Sequence, residues 1–256
     1  MSGALVVVGL GRIGSLYAGI AQAQGWTLTA LDRAALPGAL ASPSPGRPIL
    51  VATRNDDLEA LIPLVHPENL GDLVFVQNGM LRPWLAARGL QGATQGLLYV
   101  AVQRVGAAPV PGGESLFWGP HAEAMAGLLR AGGVAARVEE DEDVFVGEIA
   151  RKFAWNAIFG LLGERLALPV GPIAEQHGEA VAALCAELAP VLGRALGVGL
   201  DPQELTRRSL DYSREIADYR ASLKEWRWRN GWLVDEAARQ GVALPEHARW
   251  MSAKEP

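Results

Sequence analysis

The sequence predicts an α/β domain with a mostly parallel sheet over residues 1–140, followed by an all-helical domain over residues 141–256. Three observations carry that division. Apolar, β-rich runs alternate with helical segments as far as Val138, the pattern of a parallel sheet covered by helices. The first of these runs ends in a glycine-rich turn that opens a helix. Beyond Glu139 the periodicity is helical, with no convincing strand.

Taken in order, Ala4–Val8 is an apolar run that stops at Gly9. Ile13 to Gln24 has helical character, and Gly25 is a natural helix stop. Trp26–Leu31 alternates and reads as the second strand, ending at Asp32. Residues 33–48 carry Pro37, Pro43, Pro45 and Pro48 with Gly38 and Gly46, and read as loop. Ile49–Thr53 is the third strand, and Asn55 is placed to cap a helix through Leu58, Leu61 and Ile62. Leu73–Gln77 is the fourth strand, continuously apolar as a strand covered on both faces should be. Further strands are expected near Gly96–Gln103, Ser115–Trp118 and Val134–Val138, with a helix over His121–Arg130.

In the second domain, helices are expected over Val144–Leu168, ended by Pro169 and Pro172, and over Glu175–Leu196. Asp201-Pro202-Gln203-Glu204 is a helix start, with Asp as N-cap, Pro in the first turn and Glu three residues past the cap. That helix should run to around Ala221, and another should cover Glu225–Gln240. The acidic run Glu139–Asp143 reads as a solvated linker whose charges favour the start of the next helix.

Bulk properties narrow the function. The 256 residues carry a net charge of −5 and no long basic stretch, which argues against nucleic acid and anionic membrane as partners. The segment MSGALVVVGLG lacks a basic leader and reads as a buried strand rather than a signal peptide. No stretch approaches the ~20 apolar residues that span a bilayer. The single cysteine, Cys185, forms no internal disulfide, which fits a reducing cytoplasm. Basic residues are lopsided, with 20 Arg against three Lys at positions 152, 224 and 254. A Lys in a pocket-like context therefore hints at a titratable amine, which Arg cannot supply.

Gly9-Leu10-Gly11-Arg12-Ile13-Gly14 matches GxGxxG, follows a strand, opens a helix and precedes a second strand ending in Asp32. In that context it reads as a Rossmann-type dinucleotide-binding turn. The first Gly permits the tight turn, the second lets the backbone approach a pyrophosphate, and the third lets helix and strand pack closely. Asp32 could accept from an adenosine ribose, favouring NAD(H). Arg33 could pair with a 2′-phosphate, favouring NADP(H).

Several polar groups qualify for chemistry. Asn78 follows the fourth strand, where open α/β sheets bind ligands, although Asn-Gly is also a common turn pair. Lys152 and Asn156 are four apart on one helix face near Phe145, Ile149 and Phe159. They either point together into a cleft or leave Lys152 paired with Glu148 on the surface. Glu225 either binds a hydroxyl or pairs with Lys224, Arg227 or Arg229. Trp226, Trp228 and Trp232 read as helix-packing residues. His66, His121, His177 and His247 show no metal-ligand spacing and read as surface or capping residues, so no metal is expected.

On these residues the chain resembles the ketopantoate reductases (2-dehydropantoate 2-reductases). The matching elements are Gly9–Gly14, Gln77-Asn78-Gly79, Lys152 with Asn156, Ser213 with Glu225 twelve later, Asn230-Gly231, and the tail from Gly241 to Pro245. The resemblance implies an NADPH-dependent reduction of a 2-oxo acid to a 2-hydroxy acid. It implies Lys152 as general acid, Glu225 and Asn156 holding the substrate hydroxyl end and orienting the Lys, Ser213 binding the carboxylate, and Asn78 bridging cofactor and substrate. Together with Gly9, Leu10, Gly11, Arg12, Ile13 and Gly14, the residues Asp32, Arg33, Arg54 and Asn78 are expected at the cofactor. A helical second domain can supply a dimer face, so a homodimer is expected by analogy.

The chain also departs from that pattern. The loop after Arg33 is short, Arg54 stands where relatives usually have Lys, Gly160 where they often have Asn, and Arg214 replaces an apolar residue. These departures leave two alternatives open. One is a different NAD(P)-dependent hydroxyacid dehydrogenase; the other is a non-catalytic NADP-binding sensor.

Overall fold

The computed structural model describes residues 3–32 and 35–252. The chain divides into two compact units, Met1–Phe145 and Val146–Pro256. Arg33, expected at the cofactor, lies outside the described residues.

The first unit holds strands β1 (Ala4–Val8), β2 (Thr27–Leu31), β3 (Ile49–Val51), β4 (Leu73–Phe75), β5 (Thr94–Leu97), β6 (Val100–Ala101), β7 (Val110–Pro111), β8 (Ser115–Trp118) and β9 (Ala136–Val138). Seven of them form one sheet in the order β2-β1-β3-β4-β5-β8-β9, and β6 and β7 pair separately. Every neighbouring pair in the large sheet is parallel except β5 with β8. Helices α1 (Arg12–Ala23) and α5 (Ala122–Ala131) bury Tyr17, Ile20, Ala21, Met125, Leu128 and Leu129 together with Leu5, Val7, Leu50, Val74 and Phe117 of the sheet. Leu5 and Val7 share a face because side chains alternate along a strand. Short helices α2 (Leu36–Ala39), α3 (Leu58–Leu61) and α4 (Arg82–Ala86) complete the unit.

Some sequence expectations shift here. Asn55 is not a helix cap: Arg54 occupies that position, and Asn55 is buried with its amide turned to another strand end. The proline-rich loop contains α2, and its remainder is held in place. Asn69 accepts from the Ser44 N–H at 2.8 Å and donates to the Ser42 carbonyl at 2.9 Å, while Asp72 accepts from the Gly46 N–H at 2.7 Å. His121, expected as a surface or capping residue, does sit at the N-cap position of α5, and its ring pairs with Asp72 at 2.8 Å.

The second unit is helical. Helix α6 (Glu142–Leu166) starts in the first unit, where Asp141 accepts from the Asp143 and Val144 amides at 2.9 and 3.3 Å. It continues through a buried apolar stretch that includes Phe159, Leu161 and Leu162. Helices α7 (Val170–Gln176), α8 (Gly178–Leu196), α9 (Pro202–Glu215), α10 (Asn230–Arg239) and α11 (Pro245–Ser252) follow. Pro172, read from sequence as a stop, sits instead in the first turn of α7, and Pro245 opens α11 in the same way. A first-turn residue has no intrahelical N–H partner to lose, so Pro is tolerated there. The Asp201 cap is present, accepting from Gln203 and Glu204 at 3.1 and 3.3 Å; such a cap contributes about 1 kcal/mol. Among the described residues, no single helix is long and apolar enough to cross a membrane.

Helix α9 ends at Glu215, short of the expected Ala221. The carbonyls of Ala217 and Tyr219 instead accept from the first amides of α7, Gly171 at 3.0 Å and Val170 at 2.9 Å. Three glycines make room for this segment. A Cβ on Gly171 would lie 2.6 Å from Ala217, one on Gly163 would lie 2.4 Å from the Ala221 carbonyl, and one on Gly160 would lie 3.1 Å from the Ser222 carbonyl. The space a side chain would need at Gly160 is therefore taken by backbone.

Candidate functional site

In the first unit, the carboxyl ends of the parallel strands lie in register. Val8 is paired with Leu31 and Val51, and Val51 with Phe75. Residues just past those ends are therefore neighbours: Gly9–Gly14, Asp32, Arg54 and Asn78 all follow them in sequence. This is where open α/β sheets bind ligands.

The glycine turn has three distinct geometries. Gly9 has φ +91°, a left-handed conformation that favours Gly. Gly14 touches the strand so closely that a Cβ would lie 1.9 Å from the Gly9 carbonyl oxygen. Gly11 faces open space, with nothing within 4 Å of a built Cβ. Beside it Leu10 and Arg12 are exposed and Ile13 is half-buried. Helix α1 has no acidic residue in its first turn and no side-chain cap, so its positive end is open to an anion. These features fit a pyrophosphate.

Asp32 is exposed and accepts from the Ala35 N–H at 3.0 Å through one carboxylate oxygen. Arg54 is exposed. Asn78 is exposed as well, and its carbonyl accepts from Asn55 Nδ2 at 2.8 Å. Gln77 joins β3 to β4 by donating to the Val51 carbonyl at 2.8 Å. Asn55 and Gln77 therefore hold the Asn78 turn, a supporting role not read from the sequence. Asn55 Oδ1 is also buried without a hydrogen-bond partner.

In the second unit, Lys152 and Asn156 lie one turn apart on α6, and Asn156 Nδ2 donates to the Lys152 carbonyl at 2.9 Å. Lys152 is half-buried, and its ammonium is held down to about 7, first by burial and second by the charge of Arg229. Glu148, its alternative partner from sequence, receives Arg151 at 2.9 Å and Arg208 at 3.1 Å.

Arg229 arrives at this cluster from the segment after α9. It is 8% exposed, and its Nη2 donates to Glu225 Oε2 at 2.8 Å. The ion pair that the sequence offered as one reading of Glu225 is thus formed. Glu225 adopts φ +50°, ψ +47°, a conformation that costs a non-glycine residue roughly 1–2 kcal/mol. Asn230 fixes the segment to α6 by donating to the Ala157 carbonyl at 3.1 Å, and it also bonds His247 Nε2 at 3.1 Å. His247, expected as a surface or capping residue, is buried, and burial lowers its pKa. Trp228 is buried, Trp232 packs edge-on against Phe153, and Trp226 is exposed.

Ser213 requires a correction. It was expected at a substrate carboxylate, but it is fully buried on α9. Its hydroxyl accepts from Trp155 Nε1 at 2.9 Å and donates to the Ser209 carbonyl at 2.8 Å. A hydroxyl so enclosed and engaged belongs to the helical core. The residue that sequence reasoning undervalued is Arg229, which appeared there only as a partner for Glu225. Its signal was its position, one residue before Asn230-Gly231.

No family model and no curated protein sequence matches the chain. Solved structures do match. The D-mandelate dehydrogenase in complex with NADH and anilino(oxo)acetate superposes with TM-score 0.71 at 15% identity, over 96% of each chain. The 2-dehydropantoate 2-reductase of Methylococcus capsulatus gives 0.72 at 17% identity, over 97% of this chain and 94% of that one. The chain has the ketopantoate reductase fold. The dimeric ketopantoate reductase of Staphylococcus aureus gives 0.69 at 14% identity, over 97% of this chain and 96% of that one. The Rossmann-type sheet followed by a helical unit is thus shared with these proteins, and their low identities carry the likeness no further than the fold.

Proposed function

We propose that this protein is an NAD(P)H-dependent oxidoreductase that reduces a 2-oxo acid to a 2-hydroxy acid. The observation that carries the reading is Lys152, an amine held to about 7 beside Arg229. An acid with a pKa near the working pH is the most effective proton donor. The glycine turn and the shared fold supply the cofactor half of the reading.

In this reading the amides at the start of α1, with Gly9, Leu10, Gly11, Arg12, Ile13 and Gly14, hold the pyrophosphate. Asp32 takes the adenosine ribose. Arg33, the next residue in sequence, and Arg54, just past the end of β3, add two positive charges, which favours NADPH, with NADH the alternative. Asn78, on a turn held by Asn55 and Gln77, presents its amide to cofactor and substrate. When bound, the cofactor supplies the hydride. Lys152 donates its proton to the ketone oxygen and is reloaded from solvent. Asn156 and Glu225 receive the substrate hydroxyl end and keep Lys152 oriented.

The test is NADPH and NADH oxidation followed against a panel of 2-oxo acids, with ketopantoate and phenylglyoxylate among them. Turnover that disappears in Lys152→Ala, with cofactor affinity retained, supports the reading. Cofactor binding without turnover on any member of the panel would replace it with the sensor alternative.

A further inference from the structure

The proposed reaction needs a group that recognises the substrate carboxylate, and the residue expected for it, Ser213, is enclosed in the helical core. The geometry points to Arg229 as the residue that binds the carboxylate of the 2-oxo acid, adjacent to Lys152 at the ketone. This inference rests on the reductase reading and deepens it.

Three observations support it. First, the Arg229 guanidinium is almost wholly buried, yet among the described residues its one side-chain bond is to Glu225, and its Nε is buried without a hydrogen-bond partner there. An orphaned charged donor in the interior costs more than a neutral one, so its presence calls for an acceptor. Second, the charge of Arg229 acts on the Lys152 ammonium, another cation, on α6. Like charges in so poorly solvated a place repel, and an anion within reach of both reduces the repulsion. A 2-oxo acid carries its ketone and carboxylate on adjacent carbons, so a proton donor and a carboxylate receptor for it must also be adjacent. Third, Arg229 directly precedes α10, which has no side-chain cap and no acidic residue in its first turn. The positive helix end therefore adds to the same potential.

Guanidinium suits this task because its planar fork meets a carboxylate with two parallel bonds. Nε is enclosed in the present conformation, so taking up a carboxylate there turns the guanidinium. The Glu225 partner is one-third exposed and can follow that rotation.

The experiment compares wild type with Arg229→Gln and Arg229→Lys, each checked for folding by thermal melting and for intact NADPH affinity by fluorescence titration. The wild type should prefer a 2-oxo acid over its methyl ester. In Arg229→Gln, KM for the acid should rise about 100-fold while the ester is little affected, so that preference collapses. Arg229→Lys should recover part of the loss, since it restores charge without the fork. An unchanged acid-to-ester preference with a lowered kcat would overturn the proposal and leave Arg229 as a positioning residue for Glu225 and Lys152. Should Arg229→Gln not fold, the wild type still decides the matter. With NADH or NADPH present, anilino(oxo)acetate should bind about 100-fold more tightly than its methyl ester, and equal binding refutes a carboxylate site. Absence of turnover on every 2-oxo acid would count against the reductase reading itself. The anion titration on wild type and Arg229→Gln would then still test the site.

Discussion

Replacing Lys152 with Met keeps the length and most of the volume of the side chain while removing its charge, and it should separate activity from stability. A positioned general acid contributes about 10²–10⁴-fold, so turnover should fall by that factor. In the proposed reaction, reduction requires the protonated amine. With the ammonium held to about 7 by burial and by Arg229, the active fraction at pH 9 is roughly one in a hundred. The reduction rate should therefore be flat below pH 6 and fall tenfold per unit above pH 8, and the reverse oxidation should rise over the same interval. Stability moves differently. Below about 7 the amine is charged in both folded and unfolded chains, and the folded chain carries the desolvation cost. Between about 7 and the ordinary lysine value of 10.5 the unfolded chain binds the extra proton. Wild-type stability therefore climbs with pH through that window, by at most about 1.4 kcal/mol per unit and less because the side chain is partly exposed. Lys152→Met should abolish the climb and be the more stable protein near pH 6. Initial rates from pH 5.5 to 9.5 and urea unfolding at pH 6, 8 and 10 measure both effects. A variant with full turnover, or a wild-type rate profile with no inflection between pH 6 and 8, would refute the reasoning.

Further expectations concern single contacts. Gly14→Ala places a methyl group 1.9 Å from the Gly9 carbonyl; it should cost about 1–3 kcal/mol in stability and weaken NADPH binding at least about 100-fold, read by urea unfolding and fluorescence titration. Gly163→Ala drives a methyl group to 2.4 Å from the Ala221 carbonyl, on the segment that leads to Glu225 and Arg229. It should lower kcat/KM by more than about tenfold while NADPH affinity stays, and unchanged kinetics would show that the segment does not position the cluster. Tyr17 is fully buried with its hydroxyl unpartnered, and burial raises its pKa. Tyr17→Phe should therefore stabilise the fold by up to about 1 kcal/mol in urea unfolding, and a loss of stability would mean that the hydroxyl has a partner in solution.

The sheet was legible in the sequence because its signals are local. Each of Ala4–Val8, Ile49–Val51 and Leu73–Phe75 is a continuous apolar run bounded by turn residues, and the glycine turn is fixed by three spacings. Its residues need no distant partner to be recognised. Misreadings fell where a distant backbone group outcompetes local propensity. Nothing within residues 202–221 says that α9 should stop at Glu215; the reason is that α7 recruits the carbonyls of Ala217 and Tyr219. Pro172 misled for a related reason, since a proline is equally compatible with the end of one helix and the first turn of the next. Lys152 was legible as a candidate through its rarity among arginines and its spacing to Asn156. Ser213 was not, because a serine on an amphipathic helix gives no sign of which face it shares with a tryptophan 58 residues away.

The costs within the second unit argue that its polar cluster is more than a structural ion pair. Glu225 holds a left-handed backbone conformation, Lys152 keeps an amine in a poorly solvated place, and Arg229 leaves a buried donor without an acceptor. Each feature alone disfavours the folded state; an apolar substitution that packs as well would remove the desolvated amine or the orphaned donor, and glycine would remove the backbone strain. All three involve residues 152, 225 and 229, which meet through the Glu225–Arg229 bond and the field of Arg229 on Lys152. The salt bridges of α9 show the contrast. Arg207 and Arg214 pair with Glu204 and Asp211 on an exposed helix face, without backbone strain and without orphaned atoms. Pairs of that kind are what a chain rich in arginine forms when only surface charge is required. Under the reading proposed above, the desolvated amine and the unanswered donor are met by a bound ligand, and a small carboxylate with an adjacent ketone has the charge and the acceptors to meet both; the strain at Glu225 is then the cost of holding them together.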